Sequence, residues 1–159
     1  MKISHKLRLA PLPLTDSSPA MANLYYIKKQ DITAEQYREI YTNVGNPWGW
    51  SSRKNWNNFQ ILTLLSSDTR DVQIFCNGDK PIGFFEIEIL SSRQAYIKYF
   101  GLIPSAIGIG YGRYLMQGAI ACVAQRGVSD LILTTCDSDH CNALNLYKKM
   151  GFAMVEKDQ

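Results

Sequence analysis

Residues 101–116, GLIPSAIGIGYGRYLM, constrain this chain more than any other segment. They read as a strand end, a glycine-rich turn and the start of an apolar-striped helix. Such a junction gathers unpaired backbone N–H groups and the positive end of a helix dipole at one point, which is a seat for an anion. Gly108, Gly110 and Gly112 alternate with larger residues, and glycine permits both the conformations and the close approach that a bulky phosphate needs. The expected ligand is phosphorylated.

The rest of the composition narrows the setting. A chain of 159 residues predicts one domain with a real core. A net charge of +3 without a Lys/Arg cluster suits an acidic small molecule and argues against a nucleic-acid partner. No apolar run is long enough to span a bilayer. Lys2, Lys6 and Arg8 are succeeded by Pro11 and Pro13, which interrupt any apolar stretch, so neither a membrane span nor a signal core is expected. The expected location is the cytoplasm. Cys76, Cys122, Cys136 and Cys141 lack the paired spacing of a zinc site; buried free thiols and no metal are expected.

Residues 1–23 read as an N-terminal arm with a short strand at Ile3–Leu9, and 24–159 as the domain proper. Leu24–Lys28 is a strand. Thr33-Ala34-Glu35-Gln36 is a capping box, followed at helical spacing by Tyr37, Ile40, Tyr41 and Val44 and stopped by Gly45 and Pro47. A second helix is expected over residues 53–65. Val72–Cys76 and Pro81–Leu90 form a hairpin about Asn77-Gly78-Asp79. Gln94–Ile103 runs into the glycine turn, a helix comes next over residues 110–126, then a strand at Leu131–Thr135. A helix at Asn142–Met150, ended by Gly151, and a strand from Phe152 complete the order β-α-α-β-β-β-α-β-α-β. Antiparallel strands leading into a strand–helix–strand unit predict a mixed sheet.

Spacing limits the ligand. A dinucleotide fingerprint, G-x-G-x-x-G near the first strand, does not fit glycines at 108, 110 and 112, late in the chain. A phosphate loop of the Gly-Lys-Ser/Thr type fails at Gly112-Arg113-Tyr114, which offers no hydroxyl for Mg²⁺. A turn that merely joins a strand to a helix is the plainer alternative.

Pro104 through Met116 resembles the cofactor-binding motif of the GNAT acetyltransferase superfamily, Gln/Arg-x-x-Gly-x-Gly/Ala. Ile107-Gly108-Ile109-Gly110-Tyr111-Gly112 matches its last two positions, and Ile107 replaces the polar first one. Downstream, residues 143–152, ALNLYKKMGF, resemble the family's Asn-x-x-Ala-x-x-x-Tyr-x-x-x-Gly-Phe segment, with His140 where the Asn usually stands. Residues 43–50 (NVGNPWGW), 99–102 (YFGL) and 135–140 (TCDSDH) resemble a bacterial subgroup of undefined substrate, which often carries an acidic residue where this chain has Ser52.

That resemblance implies a GNAT fold, an α/β (α+β) arrangement whose mostly antiparallel sheet has helices on both faces, and an acetyl-CoA-dependent transfer to a primary amine of a small molecule or peptide by direct attack. It implies a splayed strand before the glycine turn, with the backbone of Phe100, Leu102 and Ile103 facing the cofactor. It places the pyrophosphate on Gly108, Ile109, Gly110, Tyr111, Gly112 and Arg113, with Asn142 at the head of the last helix; Arg113 reads equally as a solvated helix residue. Tyr147 matches the tyrosine near the thioester sulfur. A phenol near pKa ~10 is a weaker acid than a thiol near ~8.5, so a hydrogen bond to the leaving sulfur fits better than full proton transfer; core packing is the alternative. Glu86 reads as the general base or as a salt-bridged strand carboxylate, and His140 as a second base. Trp48, Trp50 and Arg53 fall where the family builds its acceptor pocket, Arg53 as a carboxylate binder, with Tyr99 lining the same cleft; a loop pinned by its own aromatics is the other reading. A catalytically silent CoA-binding regulatory module is the alternative function. The Ile3–Leu9 strand is expected to return and pair near Phe152–Glu156; association of two copies would also cover that edge.

Overall fold

The computed structural model describes residues 4–13, 23–136 and 143–155. In chain order its main elements are β1 (Ser4–Leu9), β2 (Leu24–Lys28), α1 (Ala34–Gly45), α2 (Asn58–Leu65), β3 (Arg70–Asn77), β4 (Lys80–Ile89), β5 (Gln94–Leu102), α3 (Tyr111–Gln125), β6 (Asp130–Cys136), α4 (Ala143–Lys149) and β7 (Ala153–Met154). The sequence order stands, preceded by the extra N-terminal strand.

Local chemistry explains most boundaries. At the head of α1 the Gln36 N–H donates to Thr33 Oγ1 at 3.1 Å and the Thr33 N–H donates to Gln36 Oε1 at 2.9 Å, satisfying two orphan donors reciprocally. The helix expected from residue 53 begins five residues later, at Asn58. Asn57 and Gln60 form a second capping box there, and the Arg53 side chain is drawn inward, leaving residues 52–55 as turns. The β3–β4 hairpin pairs Asn77 with Lys80 around Gly78, whose φ of 58° suits glycine.

The strands form one sheet in the order β2-β3-β4-β5-β6-β1-β7. Every neighbouring pair is antiparallel except β5–β6, which α3 connects as a parallel crossover. Ile74 and Phe84 sit opposite each other and share one face; Phe75 points to the other. Tyr37 of α1 meets Phe84 edge-on at 6.1 Å, and Tyr111 of α3 meets Phe75 at 6.3 Å. Helices therefore cover both faces. Packing is tight on the α3 side, where a Cβ at Gly118 would lie 2.7 Å from the Tyr26 ring. Cys76 and Cys122 are buried free thiols; Cys141 lies outside the described residues.

The N-terminal strand is an interior member of the sheet. β1 lies between β6 and β7, with Leu7 opposite Leu133 on one side and Met154 on the other. Leu7 is fully buried. The strand shields the β6 edge that β7, two residues long, would leave open. Leu7→Ala is expected to cost about 2–4 kcal/mol of stability, read as a lower urea midpoint at unchanged m-value.

Candidate functional site

Strands β5 and β6 pair only over Gln94–Ile97 and Asp130–Leu133. Beyond Ile97 and Leu133 they part. Across β5, the register with β4 steps from Glu86↔Tyr99 to Ile87↔Ile97, so Lys98 has no opposite residue. A bulge of this kind bends its strand and strengthens its twist. The bend on one edge of β5 thus starts where the pairing on its other edge stops. The gap opens a cleft of about 1010 Å³, lined by Lys98–Leu102, residues 107–114, Thr134 and Thr135 of β6, and one side of α4.

At one end lies the glycine turn. Gly108 and Gly110 have φ of 84° and 100°, conformations that a side chain resists. A Cβ at either would meet nothing within 4 Å, so backbone geometry demands glycine there. Gly112 is different: its φ is ordinary, but a Cβ would stand 3.0 Å from Leu146 Cδ2, and its absence lets α3 approach α4. Gly110 caps α3 without any side-chain hydrogen bond. The N–H groups of the first turn therefore face the cleft with the positive end of the dipole behind them, and the exposed Arg113 adds a cation. The chemistry of this cradle is that of an anion seat, built from main chain and with no polar side chain at Ile107.

The α4 wall carries Tyr147, which is buried yet lines the cleft, its ring 6.0 Å from both Phe100 and Phe152. Phe100 and Leu102 also line the cleft. Ile103 does not serve as expected: it is buried, and its N–H already donates to Ile82 O at 2.8 Å. His140 and Asn142 lie outside the described residues.

The opposite end is aromatic. Trp48, Trp50 and Tyr99 line it together with Val44. Trp50 packs onto Gly45, where any Cβ would overlap its indole, and its ring lies 5.0 Å from Tyr99, 5.8 Å from Tyr41 and 6.2 Å from Phe84. The Tyr99 hydroxyl is 2.5 Å from Ser52 Oγ. Burial holds the Tyr99 phenol above its ordinary range, so at neutral pH it is a hydrogen-bonding group and no base.

Beside this wall the structure matches the salt-bridged reading of Glu86 against the general-base one, and corrects the expectation for Arg53. Glu86 is fully buried on β4 and does not line the cleft. Arg53 Nη1 and the Tyr37 hydroxyl donate to its Oε1, and Arg70 Nη1 donates to its Oε2 at 2.7 Å. A carboxylate inside a core must be paired, and both oxygens of this one are engaged away from the cleft. Arg53, expected to meet an acceptor carboxylate, is instead 7% exposed and occupied by this pair. Burial opposes its charge, but the hydrogen bond and charge of Glu86 keep the guanidinium above the usual arginine range. The same burial, with the Glu86 charge, raises the Tyr37 phenol.

The structure also brings Lys98, Thr134, Thr135 and Ser4 to the cleft, none singled out by sequence. Lys98 owes its place to the bulge and Ser4 to the insertion of β1, both products of strand register rather than of local pattern.

Comparison with known proteins gives a consistent result. Residues 31–152 match the family model described as Acetyltransferase (GNAT) family. A mycothiol acetyltransferase from Nocardia farcinica (strain IFM 10152) is 30% identical over 83 residues, covering 50% of this chain and 27% of that protein. Among solved structures, a GCN5-related N-acetyltransferase from Sphaerobacter thermophilus superposes with a TM-score of 0.73 at 12% identity, over 96% of this chain and 48% of the other. An aminoglycoside acetyltransferase from an uncultured soil metagenomic sample, in complex with sisomicin, gives 0.68 at 14% identity, over 80% and 86%. The chain spans about half of the first of these structures and about a quarter of the mycothiol enzyme.

Gly110→Val puts a β-branched residue at a positive φ directly in the anion seat. It is expected to weaken binding of a CoA ester at least about tenfold, that is about 1.4 kcal/mol, measured by titration calorimetry.

Proposed function

The chain belongs to the GNAT acetyltransferase family, and from that premise we propose that it transfers the acetyl group of acetyl-CoA to a primary amine carried by a small molecule or peptide. One observation carries the reading: the anion seat at the head of α3 and the unpartnered backbone of β5 open into a single cleft. A ligand with a phosphorylated end and a long amide-bearing arm matches both.

When bound, acetyl-CoA supplies an activated acetyl thioester that an amine attacks directly. The N–H groups from Gly108 to Arg113 hold the pyrophosphate. The β5 backbone at Phe100 and Leu102 pairs with the arm and holds a fixed N–H near the reacting carbonyl; such a donor in an enclosed site is worth about 3 kcal/mol. Tyr147 donates a hydrogen bond to the departing sulfur, its ring held in place by Phe100 and Phe152.

The acceptor enters from the aromatic end. Trp48, Trp50 and Tyr99 support an amine attached to an apolar or aromatic body, and Lys98 adds a cation to the described lining. An attacking amine must arrive unprotonated, and its pKa near ~10 requires help at neutral pH. With Glu86 buried and held between two arginines, His140, the second base read from the sequence, is the candidate to take the proton; an imidazole ordinarily titrates near ~6.5, close to neutral pH.

Incubated with acetyl-CoA and a panel of aromatic, aliphatic and amino-acid amines, the protein is expected to release free thiol in an amine-dependent way. No saturable acetyl-CoA binding at millimolar concentration would overturn the proposal. Tyr147→Phe should lower turnover by about ten- to a hundredfold, the worth of one hydrogen bond to a charged group, while acetyl-CoA affinity stays nearly constant. An unchanged turnover would remove Tyr147 from the reaction.

A further inference from the structure

The buried charges on β4 do more than neutralise one another. Glu86 has no exposure, and its carboxylate is shared between Arg53, which belongs to the segment joining α1 to α2, and Arg70, which belongs to the neighbouring strand β3. Arg70 also reaches Glu88 at 3.2 Å, so its pairing stays within the sheet. The Arg53 pairing crosses from the sheet to a loop. Residues 46–57 contain no helix or strand beyond one 3-10 turn at Asn46–Trp48. Their own backbone hydrogen bonds are short-range, such as Lys54 N–H to Ser51 O and Trp56 N–H to Arg53 O, both 3.1 Å. Trp50 packs on Tyr41, Tyr99 and Phe84, and Arg38 Nη2 donates to Trp56 O at 3.4 Å. Between them the middle of the loop is tied to the body through the Arg53 side chain with Glu86 and Tyr37, the Arg53 N–H donating to the Tyr41 hydroxyl at 3.3 Å, and the Ser52–Tyr99 hydroxyl contact.

The guanidinium also touches the aromatic wall. It lies 4.7 Å from the centroid of Tyr99 and 4.7 Å from that of Trp56, within cation–π range of both. Tyr99 in turn packs on Trp50. One side chain therefore connects a fixed carboxylate on a central strand to the rings that shape the acceptor end. For stability alone an apolar pair would serve as well, since buried ion pairs repay their desolvation poorly. What the charged pair adds is direction: Arg53 Nη1 is held by both Glu86 Oε1 and the Tyr37 hydroxyl while the guanidinium lies against two rings, which restricts where the loop can sit.

We propose that Arg53 and Glu86 are positioning residues, a buried pin that fixes the tryptophan-bearing loop and so sets the shape of the acceptor wall. The second half of this statement rests on the reading of that wall as the acceptor end; the pin itself does not.

The chain supplies its own reporter. All three tryptophans, Trp48, Trp50 and Trp56, lie in this loop, so tryptophan emission, excited beyond the tyrosine absorption band, reads the loop alone. The experiment measures acrylamide quenching of tryptophan emission in the full chain, with acetyl-CoA affinity measured beside it by calorimetry. Glu86→Gln and Arg53→Met are expected to raise the quenching constant about twofold or more, as a segment loses its local protection. Acetyl-CoA affinity should stay within about twofold, because the glycine seat shares no contact with the pin. Arg70→Met removes a charge from the same carboxylate but no tie to the loop, and should leave quenching at the native value. Equal quenching in Arg53→Met and the native protein would overturn the pin. So would equal loosening by Arg70→Met, which would make the network a matter of general stability. Should a methionine variant fail to fold, Arg53→Lys read against Arg70→Lys carries the same comparison. The quenching readout involves no acceptor, so failure to find any acetylated amine would count against the acceptor reading while the pin stands or falls on fluorescence.

Discussion

The structure depends on a strand pair that stops early. A parallel pair such as β5–β6 would ordinarily run its full length, since unpaired backbone groups inside a protein are costly. Here the pairing ends at Ile97 and Leu133, and the bulge at Lys98 turns β5 away at that point. The lost hydrogen bonds leave donors and acceptors pointing into a cleft, ready for a ligand with a matching polar arm. Gly83 and Gly101 keep the opposite edge of β5 closed: a Cβ at Gly83 would lie 2.7 Å from Gly101 O. The strand is thus held firmly on one side and left free on the other.

The N-terminal strand makes that arrangement tolerable. A sheet that opens in its middle has β6 attached to β5 by four register pairs only. β1 pairs with β6 over six residues and with β7 beyond it, so the far side of the split is a three-stranded unit and not a lone strand. Leu7 and Leu9 bury in the core from this strand, and Ser4 reaches the cleft lining. A segment that reads as an arm is part of the frame.

How much of the molecule is legible in the sequence depends on how far apart the interacting residues are. Both capping boxes, the Gly78 hairpin and the glycine turn are settled within a few residues, and the pattern points directly to all but the second box. There the apolar run after residue 58 masks the signal of Asn57 and Gln60, and periodicity alone starts that helix too early. The return of the first strand can be argued from an edge that needs cover. By contrast, the Lys98 bulge depends on register against β4, and the Arg53–Glu86 pair joins positions 33 residues apart on different elements. No spacing rule distinguishes an arginine that leaves the surface for a buried carboxylate from one that greets a ligand. The same charge type suits both, and only the three-dimensional neighbours decide.

This asymmetry has a physical source in the two ends of the cleft. The glycine-turn end is made of main chain: N–H groups of a helix start, two positive-φ glycines and a bare strand edge. Main-chain sites tolerate side-chain change: Ile107 in place of a polar residue gives up a side-chain donor and leaves every main-chain donor of the turn in place. They also demand glycine at fixed spacing, and so they leave a pattern that a sequence displays. The aromatic end is made of side chains, Trp48 and Trp50 of the loop after α1 and Tyr99 of β5, with the Arg53–Glu86 pair behind them. Changing any one of them changes the shape of the pocket while the backbone stays the same. Sequence motifs therefore record the main-chain end of the cleft and leave the side-chain end unmarked.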